Sequence, residues 1–307
     1  MCRMLSYLGE PIAADELLYK PDNSFVKQTY HPRYMSHLLN LAGFGIVAWE
    51  AASHNPVLPH VYKTTNLPFY DGNLRNIADK INPHCFLAHI RGVSYDPHET
   101  VSSQNVHPFI FPHTNIALAH NGALSEFEKI KFDLLDSVHP NFRQYIHGTT
   151  DSEWIYAVFI SQLLSLSPTE PHATDHIMQA ILNTLSIIER ARHKHAIHIA
   201  SPVNLFITNG EFIAVTRFVF DFGWLPFDAP PSTHFAYHSL WYTYGENYGL
   251  YDNQYQMRSS GKKSSIIIAS EPLTEDATTW VEVPEYTLLV VRRENAEIEI
   301  VSKDIVL

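Results

Sequence analysis

The amino-acid sequence predicts an α+β fold built from layered β-sheets. Three observations support this prediction. Short apolar segments typical of strands dominate the start of the chain, helical patterns occupy the middle, and β-branched strand segments return towards the end. With 307 residues, of which 45% are hydrophobic, the chain can bury a substantial core. We find no repeat and no clear linker, so residues 1–307 are treated as a single domain.

The first half of the chain alternates strand segments with short helices. A strand is predicted at 3–8, and a short helix at 33–41, where Met35, Leu38 and Leu39 supply apolar positions. The other predicted elements are a strand at 43–49 entered through Gly43 and Gly45, a helix after Asp71-Gly72-Asn73 in which Asp71 or Asn73 caps the first turn, a strand at 85–90, a loop at 93–114, and a strand at 115–119 closed by His120-Asn121-Gly122.

The second half begins with two helices and ends with strands. An apolar helix is predicted from Thr149 or Thr150, as its cap, to about residue 166, and an amphipathic helix from 174 or 175 to about 192. Asn209-Gly210, between two β-like runs, predicts a hairpin. The predicted strands of this half are 204–208, 212–217, 264–269, 286–291 and 298–301.

Residues 218–262 have a composition of their own. Many aromatic residues are mixed there with Gly, Pro and Asn, and the periodicity is poor, so we predict a long loop or lid inserted into the domain. Its aromatic side chains are suited to shaping a pocket for a leaving group. An aromatic-rich packing insertion is an equally good interpretation.

Charge and cysteine content narrow the class of protein. The formal net charge of -11 argues against a nucleic-acid-binding protein, which needs a basic face. Of the two cysteines, Cys85 opens an apolar run and is predicted to be buried, and we expect no disulfide, in keeping with a reducing cytoplasm. Arg3 and Glu10 interrupt the start, so no signal peptide is expected. No apolar run approaches the ~18 residues of a membrane helix.

The second residue is the first candidate for chemistry. Removal of Met1 would leave Cys2 with a thiol and a free α-amine on the same residue. An α-amine has an ordinary pKa near ~8, close enough to neutral pH to act as a general base towards the thiol. A cysteine at this position is more often a buried small hydrophobic residue, so the hypothesis depends on the residues that follow.

Asn121-Gly122 is a candidate for stabilising an oxyanion. An Asn side-chain amide and a Gly backbone N–H both donate hydrogen bonds, and each well-placed donor contributes roughly 3–4 kcal/mol to lowering a barrier. Asn-Gly is also common in ordinary tight turns, so the local sequence leaves both interpretations open.

Arg91 and Asp151 are candidates for holding the two charges of an amino acid. Arg91 follows an apolar strand and precedes Gly92, and a guanidinium there can bind a carboxylate with two parallel hydrogen bonds. Asp151 stands at a predicted helix start, where a carboxylate either caps the helix or accepts a substrate ammonium group. Together they would recognise the α-carboxylate and α-amine of a γ-glutamyl group.

These residues belong to short motifs whose order resembles that of the class II glutamine amidotransferases, which are N-terminal-nucleophile amidohydrolases. The resemblance is closest to their small stand-alone branch, which includes the ergothioneine-pathway γ-glutamyl amidohydrolase and a glutathione-degrading relative. It covers nearly the whole chain, and the motifs are specific as a set although each alone is weak. They are Met1-Cys2-Arg3, Gly43-Phe44-Gly45-Ile46, Ala88-His89-Ile90-Arg91, Asn105-Val106-His107-Pro108-Phe109, Ala119-His120-Asn121-Gly122, Thr150-Asp151-Ser152-Glu153, and Ala269-Ser270-Glu271-Pro272-Leu273 followed by Trp280.

The resemblance implies a fold and a role for each candidate residue. The fold would be a four-layer α-β-β-α sandwich of two stacked antiparallel sheets, the Ntn-hydrolase fold. Cys2 would be the nucleophile with its own amine as the base, and Asn121 and Gly122 would form the oxyanion hole. Arg91 would bind the glutamyl α-carboxylate and Asp151 the α-amine.

The motifs also contain residues to which we assign no chemical step. Synthetase-linked members of the family often carry a Thr-His pair shortly after the arginine, where this chain has Ser94-Tyr95. Carboxylate binding would then depend more on Arg91 alone. His107 and His120 belong to motifs, and we interpret both as structural rather than as bases.

We therefore expect an amidohydrolase that cleaves the side-chain amide of glutamine or a γ-glutamyl compound through a thioester on Cys2 and releases glutamate. No cofactor, nucleic acid or membrane is expected. Alternatively, the chain is a glutaminase subunit that supplies ammonia to a separate protein or is active only with it, so a protein partner or homo-oligomer stays open. Two weaker alternatives are a metal site at His193, His195 and His198, which lack carboxylate or cysteine partners at ligand spacing, and a binding protein without catalysis.

Overall fold

Two antiparallel β-sheets lie face to face, and helices cover the outer face of each, giving four α-β-β-α layers. The predicted α+β fold and its layering are thus confirmed. The structure is a computed structural model that describes residues 2–34, 40–92, 101–169, 173–223 and 239–307. None of the helices in these ranges combines the length and hydrophobicity needed to cross a bilayer.

The first sheet has the N-terminal strand near its centre. Each strand in it is antiparallel to its neighbours, and a separate two-stranded hairpin lies beside it. In order across the sheet, the described strands are Val281–Glu282 (β13), Trp241–Gly245 (β9), Ser265–Ala269 (β12), Arg3–Leu8 (β1), Cys85–Ile90 (β4), Phe44–Trp49 (β2) and His60–Thr64 (β3), and the hairpin is Asn247–Tyr251 (β10) with Gln254–Arg258 (β11).

The second sheet is built mostly from the C-terminal half of the chain. Its order is Glu297–Asp304 (β15), Thr287–Glu294 (β14), Phe212–Arg217 (β7), Ser201–Thr208 (β6) and Ala117–Gly122 (β5), and the short strand Val219–Phe220 (β8) also pairs with β6.

The helices are divided between the two outer layers. On the first sheet lie Asp15–Leu18 (α1) and Gly72–Ala78 (α2). The second sheet is covered by Phe127–Leu135 (α3), Pro140–Arg143 (α4), Asp151–Leu166 (α5) and Thr174–Lys194 (α6), and short 3₁₀ turns occur at Lys27–Thr29, Ser103–Asn105 and Ala277–Thr279.

Side-chain alternation decides which residues face the space between the sheets. Met4 and Leu8 of β1, Leu87 of β4, and Ala117 and Ala119 of β5 belong to one buried cluster in this inter-sheet gap. Because successive side chains of a strand point to opposite faces, residues an even number of positions from these also point into the gap. This alternation therefore identifies the positions that line the gap at the end where β1 begins.

Most of the strongly patterned elements are confirmed. The strands predicted at 3–8, 43–49 and 85–90 are β1, β2 and β4, and the two central helices are α5 and α6. Asp71 caps α2 as predicted, since its side chain accepts the backbone N–H groups of Asn73 and Leu74. Most of the helix predicted at 33–41 falls at 35–39, outside the described residues.

The structure corrects the prediction that the strand at 115–119 is closed by His120-Asn121-Gly122. These three residues are the last residues of β5, where Gly122 pairs with Val203 of β6. Pairing with a neighbouring strand overrides the local preference of Asn-Gly for a turn.

The loop predicted at 218–262 is also wrong for the part that the structure describes. This part contains β8, β9, β10 and β11, and β9 pairs with β12 in the first sheet. Aromatic residues and threonine suit a half-buried pleated surface, so the composition of β9 is compatible with a strand. However, β9 lies near the sheet margin and its burial does not alternate cleanly, so periodicity did not indicate it. Residues 224–238 of the predicted loop lie outside the described part. The sequence prediction also missed β3, α3 and α4.

Gly45 of β2 offers a test of how closely the fold is packed. A Cβ atom added there would overlap the backbone carbonyl oxygen of His107. We expect Gly45→Ala to lower the free energy of unfolding by about 1–3 kcal/mol through overpacking, measured by urea denaturation. Gly72→Ala is the matched control, because no atom lies within 4 Å of its added Cβ. Equal stability of the two variants would contradict the expectation.

Candidate active site

Cys2 lies directly before β1, at the end of a central strand of the first sheet. Its Sγ is 3.7 Å from the carbonyl oxygen of Gly92, and the residue is 8% exposed. The register of β1 and β4 pairs Arg3 with Ile90, so the residues that flank this pair, Cys2 and Arg91, come to the same edge of the sheet. Cys2 has the same parity as Met4 and therefore faces the inter-sheet gap.

Arg91 continues the backbone pairing just beyond β4. Its N–H donates to the carbonyl of Gly43 at 2.8 Å, and its carbonyl accepts the N–H of Ala42 at 3.0 Å. By parity with Cys85 and Leu87, its side chain points into the gap. The residue is only 4% exposed, so a guanidinium is held in a largely desolvated position where a carboxylate would bind strongly.

Arg3 lies on the opposite face of the sheet and anchors the residue that carries the thiol. Its Nη1 donates to the carbonyl of Cys2 at 3.2 Å. Burial lowers the pKa of Arg3, and the nearby carboxylate of Glu271 opposes that shift. Glu271 also accepts the N–H groups of Arg33 and Tyr34 at 3.4 and 3.3 Å. Arg3 of the Cys2-Arg3 motif thus fixes the backbone of Cys2, a role that the sequence alone did not indicate.

Asn121 brings an unsatisfied amide to the gap. It has the same parity as Ala117 and Ala119, so its side chain faces the gap from the second sheet. It is 2% exposed, and among the described residues its Nδ2 has no hydrogen-bond acceptor. A buried donor without an acceptor costs about 1–3 kcal/mol. Such a group is expected where a ligand supplies the missing acceptor.

Gly122 occupies a position that only glycine fits. An added Cβ would overlap the carbonyl oxygen of Pro202 and would lie 2.7 Å from Nε2 of His120. The absence of a side chain therefore lets β5 approach β6 closely at its end and leaves the backbone beside Asn121 uncovered by a side chain.

Asp151 is joined to the end of β5 by hydrogen bonds. Its Oδ2 accepts the N–H of Leu124 at 2.6 Å, and its Oδ1 lies 3.0 Å from Oγ of Ser152. Ser152 Oγ is in turn 2.9 Å from Nδ1 of His120. The carboxylate thus reaches from the first residue of α5 back to the segment after β5. Thr150, the predicted cap, stands at the N-cap position but makes no side-chain capping bond.

The start of α5 is fixed by a second set of contacts. Asn105 Nδ2 donates to Thr149 Oγ1 at 2.9 Å, and the Thr149 N–H donates to Asn105 Oδ1 at 2.9 Å. The carboxylate of Glu153 accepts the N–H of Gly148 at 2.6 Å. The Asn105 and Glu153 motif residues therefore hold the turn that presents Asp151.

Two buried histidines link the loop before β5 to the first sheet. His107 Nδ1 and His89 Nε2 are 2.9 Å apart, and the rings are in contact. Burial lowers the pKa of both, and the neighbouring Arg91 and Lys63 act in the same direction. Both rings are therefore neutral near pH 7. His89 also lies beside the backbone of His120, which brings the ends of β4 and β5 together.

Lys63 adds a titratable group to this end of the gap. It pairs with Gly45 across β2 and β3, and its Nζ lies 5.2 Å from the ring centre of Phe109. Burial lowers the pKa of Lys63 to about 8, opposed by Glu153. Neither Lys63 nor His89 was singled out from the sequence, although the alternation of β4 would have placed His89 on the same face as Arg91.

The three histidines at 193–198 lie at the protein surface and make different contacts there. His195 Nε2 bonds Oδ2 of Asp133 at 2.6 Å, and the rings of His193 and His198 are 6.4 Å apart. Across the ranges that the structure describes, no three His, Cys, Asp or Glu side chains form a group able to hold a metal ion.

The two cysteines differ in their surroundings. Cys85 is fully buried, as predicted, and its Sγ is 3.2 Å from Oγ1 of Thr208. Burial raises the pKa of the Cys85 thiol to about 12. Cys2 lies at the margin of the gap, next to Gly92. Cys85 is therefore a packing residue.

Comparison with known sequences finds a family match in the middle of this chain. Residues 71–217 match the family described as class-II glutamine amidotransferases. The probable glutamine amidotransferase DUG3 of Saccharomyces cerevisiae is 27% identical over 313 residues, which cover 96% of this chain and 82% of the relative. The gamma-glutamyl-hercynylcysteine sulfoxide hydrolase of Mycobacterium tuberculosis is 30% identical over 125 residues, covering 40% of this chain and 50% of the relative.

Solved structures share the fold. A glutamine aminotransferase class-II domain protein from Silicibacter pomeroyi has a TM-score of 0.60 at 18% identity, and the match covers 100% of both chains. The glutamine phosphoribosylpyrophosphate amidotransferase of B. subtilis has a TM-score of 0.58 at 17% identity, with 100% of this chain and 50% of that chain covered.

Alkylation should distinguish the two thiols. At about pH 8 we expect iodoacetamide to modify Cys2 and to spare Cys85 in the folded protein, because a thiol with a pKa of about 12 is protonated and this one is buried. Peptide mass spectrometry reads the modified sites. Concentrated guanidinium chloride is the control, where both thiols should react. Equal labelling of the two in the folded protein would overturn the assignment.

Proposed function

We propose that this chain, whose residues 71–217 match the class-II glutamine amidotransferase family, cleaves the side-chain amide of glutamine or a γ-glutamyl compound and releases glutamate. The fold that it shares with solved structures supports this proposal. In this proposal residues 1–307 act as one domain. One relative is named as a hydrolase of a gamma-glutamyl compound and another as a probable glutamine amidotransferase, which agrees with an enzyme acting on an amide bond.

The observation that supports the proposal most directly is the buried amide of Asn121. Within the described part of the chain its Nδ2 has no acceptor, and it faces the gap that Cys2 faces from the other sheet. A substrate oxygen that becomes negatively charged would supply that acceptor. Pre-positioned donors of this kind stabilise charge that develops in a transition state.

In the first half of the proposed reaction, Cys2 is acylated. After removal of Met1, the α-amine of Cys2 takes the thiol proton, and the sulfur attacks the amide carbon. The carbonyl π electrons move to oxygen, which accepts hydrogen bonds from Asn121 Nδ2 and the Gly122 N–H. When the C–N bond breaks, the protonated α-amine returns its proton to the leaving nitrogen, and a thioester remains on Cys2.

In the second half, water replaces the leaving amine. The α-amine of Cys2 takes a proton from the attacking water, and the same two donors stabilise the second oxyanion. The carbon–sulfur bond then breaks, the sulfur regains a proton, and glutamate leaves. The acceptor is thus water, and no cofactor takes part in the proposed steps.

Arg91 and Asp151 would fix the amino-acid end of the substrate. The buried guanidinium of Arg91 would bind the α-carboxylate, and the carboxylate of Asp151 would accept the α-ammonium group. Holding these charges places the amide, two methylenes away, at a set distance from the sulfur. Positioning of this kind reduces the entropy cost of reaching the transition state.

Replacement of the two cysteines tests the nucleophile. We expect Cys2→Ala to abolish glutamate release from glutamine and γ-glutamyl dipeptides, because the thioester cannot form, whereas Cys85→Ala should keep it. Glutamate release by the purified, processed protein is the measurement, and circular dichroism checks the fold. Activity that survives in Cys2→Ala would exclude Cys2 as nucleophile. Release by the wild type only after a second protein is added would replace hydrolysis by the partner-dependent alternative.

Replacement of Asn121 tests the oxyanion hole. We expect Asn121→Ala to lower kcat about 10²–10³-fold with little change in KM, because the lost hydrogen bond strengthens only as charge develops. Asn141→Ala, at an exposed position of α4, is the control. An unchanged kcat for Asn121→Ala, or a change confined to KM, would contradict this role.

A further inference from the structure

His120 lies between the proposed oxyanion donors and the proposed ammonium acceptor, yet none of the proposed steps uses it. The ring is fully buried. Its Nε2 lies 3.2 Å from the carbonyl oxygen of Pro202, and its Nδ1 lies 2.9 Å from Oγ of Ser152. Ser152 is itself 3% exposed and lies 3.0 Å from Oδ1 of Asp151. A continuous chain of hydrogen-bonding atoms therefore connects β6, β5 and α5.

The first contact in this chain fixes where the ring carries its proton. A carbonyl oxygen offers only lone pairs, so Nε2 must donate to Pro202 and must carry hydrogen. Burial lowers the pKa of His120 more than the nearby carboxylate of Asp151 raises it, which favours a ring with one proton. That proton is on Nε2, so Nδ1 presents a lone pair towards Ser152.

The second contact then decides the direction of the Ser152 hydroxyl. Ser152 has one hydrogen and two acceptors within reach, Nδ1 of His120 and Oδ1 of Asp151. If the hydrogen points to His120, Oδ1 keeps its lone pairs for a ligand, while Oδ2 is held by the Leu124 N–H. If the hydrogen points to Asp151, it competes for the atom that an ammonium group would contact.

We propose that His120 and Ser152 are positioning residues for recognition of the substrate α-amine: the Nε2–H tautomer of His120 draws the Ser152 hydroxyl hydrogen away from Asp151 and leaves Oδ1 open to the ammonium group. This inference rests on the proposed function, because it assigns a purpose to the ammonium site of that reaction. It predicts that His120 affects selectivity for the α-amine without taking part in bond breaking.

A pair of substrates isolates this effect. Glutaramate is glutamine without its α-amine, so the ratio of kcat/KM for glutamine to that for glutaramate measures ammonium recognition. We expect His120→Leu to raise KM for glutamine about tenfold, because the serine hydrogen turns to Asp151, and to leave kcat/KM for glutaramate unchanged. His120→Asn keeps an acceptor near Nδ1 and should retain most of the selectivity.

A double variant separates this role from a merely structural one. In His120→Leu/Ser152→Ala the competing hydroxyl is gone, so selectivity for glutamine should recover towards the wild-type ratio, although the chain now carries two changes. Loss of packing alone would make the double variant as poor as His120→Leu or poorer. Absence of recovery, or equal losses with both substrates, would overturn the proposal.

The tautomer itself can be measured without any activity. Ring ¹⁵N chemical shifts of His120, identified by its missing signals in His120→Asn, should show a neutral ring protonated at Nε2 near neutral pH. A ring protonated at Nδ1, or at both nitrogens, would overturn the inference even if the enzyme cleaves glutamine. If no γ-glutamyl substrate is cleaved while the Nε2–H tautomer is found, the proposed function has failed and not the hydrogen-bond assignment.

Discussion

The candidate site depends on the pairing of β1 along both of its edges. β12 and β4 flank the strand, with Leu5 opposite Ala269 on one side and Ala88 on the other. The backbone that carries Cys2 is therefore set by strand hydrogen bonds and by the buried contact of Arg3, rather than by a loop. Groups built on such elements are held more precisely than groups on loops, which would suit the proposed nucleophile, because the proposed oxyanion donors lie on the other sheet.

The side chains that fill the space between the sheets change from apolar to polar along its length. Most of it is filled by apolar side chains, whereas the end at which β1 begins holds His89, Arg91, His107 and Asn121, each less than 5% exposed. Burying these groups is unfavourable unless hydrogen bonds and charges are satisfied. The two histidines hydrogen-bond to each other, but among the described residues the other ring nitrogen of each has no partner. The low local dielectric would strengthen the attraction between Arg91 and a negatively charged ligand. The protein's own hydrogen bonds therefore satisfy the polar end only in part, which agrees with the proposal that a substrate binds there.

The sequence allowed the layering to be predicted and supplied the candidate site residues, but it did not indicate the connections between those residues. β1, β4, α5 and α6 have strong periodicity, whereas β3 and β9 are short and partly exposed at a sheet margin, where periodicity is weak. Asn121-Gly122 resembles a turn locally and becomes a strand only because β6 pairs with it. The bond between His120 and Ser152 spans 32 positions, and the Pro202 carbonyl that orients the ring comes from a third element, so no local pattern contains it.

β1 pairs with β12, a strand that lies far from it in the sequence. Ribosomal synthesis produces Arg3–Leu8 long before Ser265–Ala269, so the earlier strand has no partner on that side until β12 has been made. During that interval it resembles an open sheet edge, which other chains can pair with. Loss of β12, for example through a premature stop before residue 265, would therefore leave the strand that carries the proposed nucleophile without one of its two neighbours and would promote aggregation.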